Sequence, residues 1–331
     1  MCVSKEQGRK PRTLTPPVLP LPPLGERFRF LRLLTQERDN TRIELYEDLV
    51  QGCKVVGKRM LRTWTLNSPK EFADANPELL ESPWQELELS LSLGGRMAQG
   101  VCRSFGAFED HDIILFMEYV RGGDFHDLAK RCSTEPGSAR EEQAWPLILS
   151  LLNAVRGLHD RGVAHGDISL ENALLGEDAE VRLVDFAAAV MGPAQGVRGK
   201  PSYQAPEMHQ AGAGSYDAKA ADLFACGVFI YALLIADYPW KSTRPGTCSA
   251  FDFYSSQGLQ AFLAQRRIRF NGCKGPPVAT ALSPRMTHLL SILLSPSPSK
   301  RERIWQELPN SAVPEIREIE DCGVRLTLKV K

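Results

Sequence analysis

Between Val163 and Phe186 the sequence runs V-A-H-G-D-I-S-L-E-N-A-L-L, a short turn, then V-R-L-V-D-F. Two carboxylates, Asp167 and Asp185, flank one amide, Asn172. Ala173-Leu174-Leu175 and Val181 to Val184 read as strands, with a hairpin turn at Gly176-Glu177-Asp178. Such a hairpin carries all three polar side chains to one end of a small sheet. Asp185 and Asn172 are hard-oxygen ligands suited to Mg2+, which keeps several waters and takes one or two carboxylates plus substrate phosphates. Asp167 shares the site but stays free to meet a substrate hydroxyl. A metal that spreads charge and a carboxylate that orients a nucleophile are the parts a phosphoryl transfer needs.

The order H-G-D…N…D-F resembles the catalytic loop (H-R-D-L-x-x-x-N) and metal loop (D-F-G) of protein kinases. Small-molecule kinases of the aminoglycoside phosphotransferase type share the loop, so it does not choose between the two. Later motifs do. Ala205-Pro206-Glu207 matches A-P-E, and Arg301 in S-P-S-P-S-K-R matches the arginine that pairs with its glutamate. Asp222 in A-D-L-F-A-C-G resembles the buried helix aspartate that anchors the catalytic loop. The resemblance to protein kinases covers about residues 28–305. It implies an α+β, bilobal fold with a small β-rich N-lobe and a larger, mostly helical C-lobe. His165 is then a structural residue packed behind the loop.

The elements that must position these groups follow in chain order. Residues 1–27 are basic and then Pro-rich, with P-P-V-L-P-L-P-P-L at 16–24, and read as a disordered or polyproline tail offering at most a weak P-x-x-P contact. The N-lobe is expected over 28–117, the C-lobe over 118–306 and a C-terminal extension over 307–331. F-R-F-L-R-L-L, T-R-I-E-L-Y-E-D-L-V and C-K-V-V-G-K-R-M read as three consecutive strands. The third resembles the V-A-I-K strand, so Lys58 is expected on the α- and β-phosphates of ATP, with Lys54 the competitor. Pro77 to Leu93 holds a helix start and an apolar stripe, and fits the helix whose glutamate pairs with that lysine. Glu86 is the preferred partner, with Glu88 open.

Val101 to Val120 reads as two strands joined at E-D-H-D and ending in M-E-Y-V-R-G-G-D, which resembles a kinase hinge. Met117 is then the gatekeeper, Glu118 and Val120 offer backbone groups to adenine, and Asp124 faces the ribose. The apolar periodicity from Glu141 ends at Gly162, a helix-stop signal.

Four departures stand against the family pattern. No glycine lies between Gly25 and Gly52, where a glycine-rich loop would cover the phosphates near Gln36, Arg38 and Thr41. Glycine-loop-less kinases occur in the FIKK and related groups of apicomplexan parasites, which this chain resembles. Gly166 replaces the arginine that grips an activation-loop phosphate in many kinases, and Asp185 to Lys200 contains no Ser, Thr or Tyr. Ala187 replaces the glycine of D-F-G. Ser169 stands where a lysine is usual and Lys200 where a threonine is usual, as if the two chemistries were exchanged across one site.

At 331 residues the chain can bury about three-quarters of its unfolded surface. Forty basic and forty acidic residues cancel, so nothing points to nucleic acid or an anionic membrane. No apolar run reaches the ~18 residues of a membrane span, the N-terminus carries no apolar signal core, and a cytoplasmic location is expected. Eight scattered cysteines read as free thiols. The resemblance implies an active kinase using ATP and Mg2+ on protein Ser or Thr, with a partner-binding pseudokinase as the alternative.

Overall fold

The first third of the chain folds into a five-stranded antiparallel sheet. The computed structural model describes residues 20–36, 41–95, 99–132, 135–210, 214–270 and 273–308. β1 (Phe28–Gln36), β2 (Thr41–Asp48) and β3 (Cys53–Met60) are consecutive hairpins, and β4 (Ser104–Glu109) and β5 (Ile113–Glu118) complete the order β1-β2-β3-β5-β4. Phe28 and Phe116 stack with ring centroids 3.7 Å apart, and Tyr46 meets Phe116 edge-on. This aromatic layer explains Gly57: a Cβ there would sit 2.8 Å from the Tyr46 ring. The register then places Lys58 between Ile43 and Leu115.

Two short helices that the sequence reading does not anticipate, α1 (Arg62–Thr65) and α2 (Pro69–Ala75), follow β3. α3 (Pro83–Leu93) begins six residues later than the Pro77 start of the apolar segment. Ser82 caps it by accepting from the Gln85 N–H, with Pro83 at the first helical position, the two preferences that fix a helix start.

The remainder is mostly helical: α4 (Phe125–Arg131), α5 (Ser138–Asp160), the hairpin β6 (Ala173–Leu175) and β7 (Val181–Leu183), the pair β8 (Pro193–Ala194) and β9 (Tyr216–Asp217), then α6 (Ala218–Ile235) and α7 (Ser249–Gln265). A second hairpin, β10 (Arg267–Phe270) and β11 (Cys273–Pro277), leads to α8 (Pro284–Leu293), α9 (Pro298–Arg301) and α10 (Ile304–Glu307). The α+β, bilobal expectation holds. α6 is long and apolar enough to cross a membrane by length and composition, with mean hydropathy 1.8, but 94% of it is buried inside the protein. Its burial on every side marks it as the core helix of the larger lobe.

One expectation is corrected. The tail assigned to 1–27 does not stay unstructured to its end: Leu24 N–H donates to Glu109 O at 3.0 Å, Glu109 N–H donates to Pro22 O at 2.9 Å, and Leu21 is buried with Met60, Phe72 and Trp84. Pro22 and Pro23 can lie there because proline is tolerated on a sheet edge, where no ladder donor is lost. Half of the P-P-V-L-P-L-P-P-L run is thus committed to the sheet edge. Residues 1–19 and 309–331 lie outside the described residues.

The closing pair is formed. Arg301, fully buried, meets Glu207 in a two-pronged bond of 2.6 and 2.9 Å and also donates to Ala220 O and Ser295 O. Removing one partner leaves the other charge buried alone, at about 3–5 kcal/mol. Arg301→Met is therefore expected to lower unfolding stability by that amount in a urea titration, and a loss under about 1 kcal/mol would contradict the pairing.

Candidate active site

β3 and α3 meet at one ion pair. Lys58 Nζ lies 2.7 Å from Glu86 Oε1, and both side chains are buried. Lys54, four residues earlier on the same strand, is exposed. Of the two glutamates left open by the sequence, Glu86 is the one that α3 turns toward the lysine. Lys58 Nζ also lies 3.3 Å from Asp185 Oδ1, so one ammonium joins sheet, helix and metal loop. Burial works against the charged form of Asp185, but the Lys58 ammonium and its hydrogen bond outweigh it and hold the carboxyl below the ordinary aspartate value. Asp185 has φ 67°, a left-handed backbone that costs an L-residue roughly 1–2 kcal/mol. Such strain persists where the surroundings over-determine it. Ala187 lies outside that region, so it replaces the family's glycine without strain.

The loop after α5 hangs on Asp222 of α6. His165 N–H and His159 Nε2 meet Asp222 Oδ2 at 2.7 and 2.9 Å, and Gly166 N–H donates to Oδ1 at 2.9 Å. His165 is fully buried; its Nδ1 accepts the Asp167 N–H and its Nε2 donates to Val184 O at 3.0 Å. With both nitrogens committed it is a strut between the two loops, not a base. Asn172 Nδ2 donates to Asp167 O at 2.9 Å and to Asp167 Oδ2 at 2.7 Å. Its Oδ1 is thereby left as an acceptor for a cation.

Asp167 Oδ1 accepts the Lys200 backbone N–H at 3.1 Å. A Cβ on Gly199 would stand 2.9 Å from that same oxygen, so only glycine lets the segment approach so closely. Burial is the main influence on Asp167 and raises its pKa, with the Asp185 charge adding and Lys200 opposing. The Lys200 ammonium reaches the buried Ser169 Oγ at 2.6 Å and Glu171 Oε2 at 3.2 Å. The two residues singled out as an exchanged pair therefore touch, and Glu171, which the sequence reading missed, shares the ammonium. Burial opposes the Glu171 charge; Lys200 outweighs it and keeps the carboxyl below its ordinary value.

Met117 is buried on β5, opposite Val56. Glu118 gives its N–H to Arg103 O at 2.9 Å, and its carbonyl accepts from Cys102 Sγ at 3.9 Å. Val120 O accepts from Gly123 at 3.3 Å, and the Val120 N–H makes no backbone bond among the described residues. Asp124 is the N-cap of α4, one carboxylate oxygen accepting from Asp127 N–H at 2.7 Å and the other left over. The stretch around Arg38, where the glycines are missing, lies outside the described residues. K-S-T at 241–243, which carried no reading from sequence, braces the A-P-E segment: Thr243 donates to Gln204 O at 2.8 Å and Ser202 donates to Lys241 O at 3.2 Å.

Lys58, Glu86, Asp167, Asn172 and Asp185 thus converge at the seam between sheet and helices, with the hinge beside them, and this arrangement is that of a phosphotransferase fold of the protein kinase type. The sequence pattern of the protein kinase domain matches residues 67–310, and the chain belongs to that family. The match begins after β3, so the strand of Lys58 is placed by the structure and not by the pattern. CBL-interacting serine/threonine-protein kinase 20 of Arabidopsis thaliana is 30% identical over 60% of this chain and 41% of its own length. Serine/threonine-protein kinase grp of Drosophila melanogaster is 35% identical over 45% of this chain and 28% of its own. CBL-interacting protein kinase 3 of Oryza sativa subsp. japonica is 35% identical over 39% and 29%. The chain spans well under half the length of these curated relatives.

Lys200→Ala is expected to lower phosphate transfer by roughly 10²-fold, the order of losing one preorganised charge at a transition state. Ser169→Lys with Lys200→Thr is expected to recover part of that loss, because the ammonium returns from the other side of one network and sites in contact are non-additive. Steady-state turnover of Ser169→Lys, Lys200→Thr and the double is the measurement. A double mutant no better than the product of the singles removes the exchange.

Proposed function

We propose that the chain is an active protein kinase that transfers the γ-phosphoryl group of ATP to Ser or Thr of a protein. The observation that carries this reading is the Lys58–Glu86 bond together with the Lys58–Asp185 contact: one ammonium, held by a buried carboxylate, stands beside the metal-loop aspartate. The names of the relatives support Ser/Thr as the acceptor class. The residues fit nucleotide and Mg2+ in donor chemistry. Asn172 Oδ1 and the Asp185 carboxylate, whose side chain is one-third exposed, are hard oxygens left open on one side. When bound, Mg2+ supplies charge neutralisation between the phosphates.

In this reading Lys58 holds the α- and β-phosphates, the Glu118 carbonyl and Val120 N–H take adenine behind Met117, and Asp124 meets the ribose through its spare oxygen. Asp167, steadied by Asn172 and the Lys200 N–H, orients the acceptor hydroxyl. Lys200 brings a cation to the same side, with Ser169 and Glu171 as its seat. Positioning and preorganised charge supply the rate. The lobe boundary is placed at 117/118. The further likeness to glycine-loop-lacking kinases such as FIKK is supported by the absence of glycine between Gly25 and Gly52. With no hydroxyl between Asp185 and Lys200, activity should not need phosphorylation there.

A transfer assay with labelled ATP and a generic Ser/Thr protein substrate tests the reading, with Asp167→Asn as control. Asp185→Ala should abolish transfer while leaving thermal unfolding nearly unchanged, since it removes a metal ligand and no core volume. Full turnover in that variant would rule Asp185 out as the ligand.

Asp167 must be ionised to take the proton of the acceptor hydroxyl, and burial raises its pKa. Turnover is therefore full above that raised pKa and lost as pH falls through it. Lys200 opposes the rise, so in Lys200→Ala the acid limb of the kcat profile should move to higher pH. A limb that stays in place would show that the charge of Lys200 does not reach Asp167.

A further inference from the structure

The segment after Asp185 has no residue to phosphorylate, and Gly166 could not grip a phosphate, yet four successive carbonyls of this segment are held. Gln85 Nε2 donates to Ala189 O at 2.7 Å and Ala187 O at 3.2 Å, with Phe186 O at 3.5 Å. Ser82 N–H donates to Ala187 O at 3.0 Å. Arg198 Nη1 donates to Ala188 O at 3.2 Å and also to Leu80 O, in the turn that leads into α3. Gly196 makes room for this contact, since a Cβ there would meet Leu80 Cδ1 at 2.7 Å.

The start of α3 makes the arrangement specific. Ser82-Pro83-Trp84-Gln85 has the form of a capping box, in which the glutamine would reach back to the serine N–H. Ser82 caps as that motif requires, but its own N–H and the Gln85 amide both turn to the metal loop instead. The residue after Gln85 is Glu86. The helix end that presents the glutamate to Lys58 is therefore the same end that grips residues 186–189.

We propose that Gln85 and Arg198 are positioning residues that fasten the metal loop to α3 without any phosphate. In the usual arrangement a cation on the catalytic loop grips an anion on the activation segment. Here the cation is on the segment itself, and its acceptors are backbone carbonyls of the segment and of the approach to α3. The strained Asp185 is held in one arrangement by this clamp, and the Lys58–Glu86 pair is kept beside it. The catalytic part of this inference rests on the kinase reading; the fastening does not.

The test uses the full chain with Arg198→Met, Arg198→Lys and Gln85→Glu, the last near-isosteric but turning a donor into an acceptor against the carbonyls. Three quantities are read: amide hydrogen exchange over 186–190 without nucleotide, kcat for transfer, and the thermal midpoint. Arg198→Met and Gln85→Glu should each speed exchange over 186–190 and lower kcat, both by about tenfold, as expected when a held segment opens locally. Arg198→Lys, which keeps one cationic donor, should fall between wild type and Arg198→Met. The midpoint should shift by no more than about 2–4 °C. Unchanged exchange in both Arg198→Met and Gln85→Glu overturns the proposal, and so does a loss of turnover accompanied by faster exchange throughout the molecule. Should the wild type transfer no phosphate, the kinase reading fails, and exchange over 186–190 alone decides the fastening.

Discussion

A single carboxylate buried in an apolar helix sets the position of the loop that carries Asp167 and Asn172. Asp222 lies on α6, where its neighbours Leu223 and Phe224 are fully buried. A charge there is tolerable only with its hydrogen-bonding capacity filled. It finds that capacity in the backbone of His165 and Gly166 and in the ring of His159. The helix thus cannot be buried without also drawing the catalytic loop onto it. The apolar helix and this loop form together, and Asp167 and Asn172 inherit their places from that coupling.

The second lobe is joined to this frame through Lys58. Sheet register fixes its height, α3 supplies Glu86, and Asp185 closes the contact from the larger lobe. Each partner comes from a different element, so the contact exists only when sheet, helix and metal loop are all in place. Lys200 plays the corresponding part on the far side of Asp167. Its backbone N–H goes to the carboxylate and its side chain to Ser169 and Glu171, which ties the segment before A-P-E to the catalytic loop.

What the sequence disclosed and what it hid divide along a physical line. Lys58, Glu86, Asp167, Asn172, Asp185, Glu207 and Arg301 were legible because each meets a side-chain partner that only a few residue types can supply, and Asp222 because a carboxylate within an apolar helix stands out. Spacing between rare, specific types carries information. Gln85, Arg198 and Thr243 were not legible, because their partners are backbone carbonyls, which every residue type offers alike. Gly199 escaped for a related reason: its role is the absence of a Cβ beside Asp167, visible only once the two segments are brought together. Composition misled once. Pro20 to Leu24 reads as unstructured from its prolines, but the sheet edge accepts proline, and burial of Leu21 fixes the segment.

Gly166 keeps any larger residue out of this arrangement. Its φ is 78°, and a Cβ placed there would stand 2.2 Å from Ala188 O, a backbone atom that no rotamer change can move aside. A single substitution to arginine would not install a phosphate grip here, because its Cβ meets that collision first. The segment carrying Ala188 would have to shift first, and in doing so it would give up the contact with Arg198.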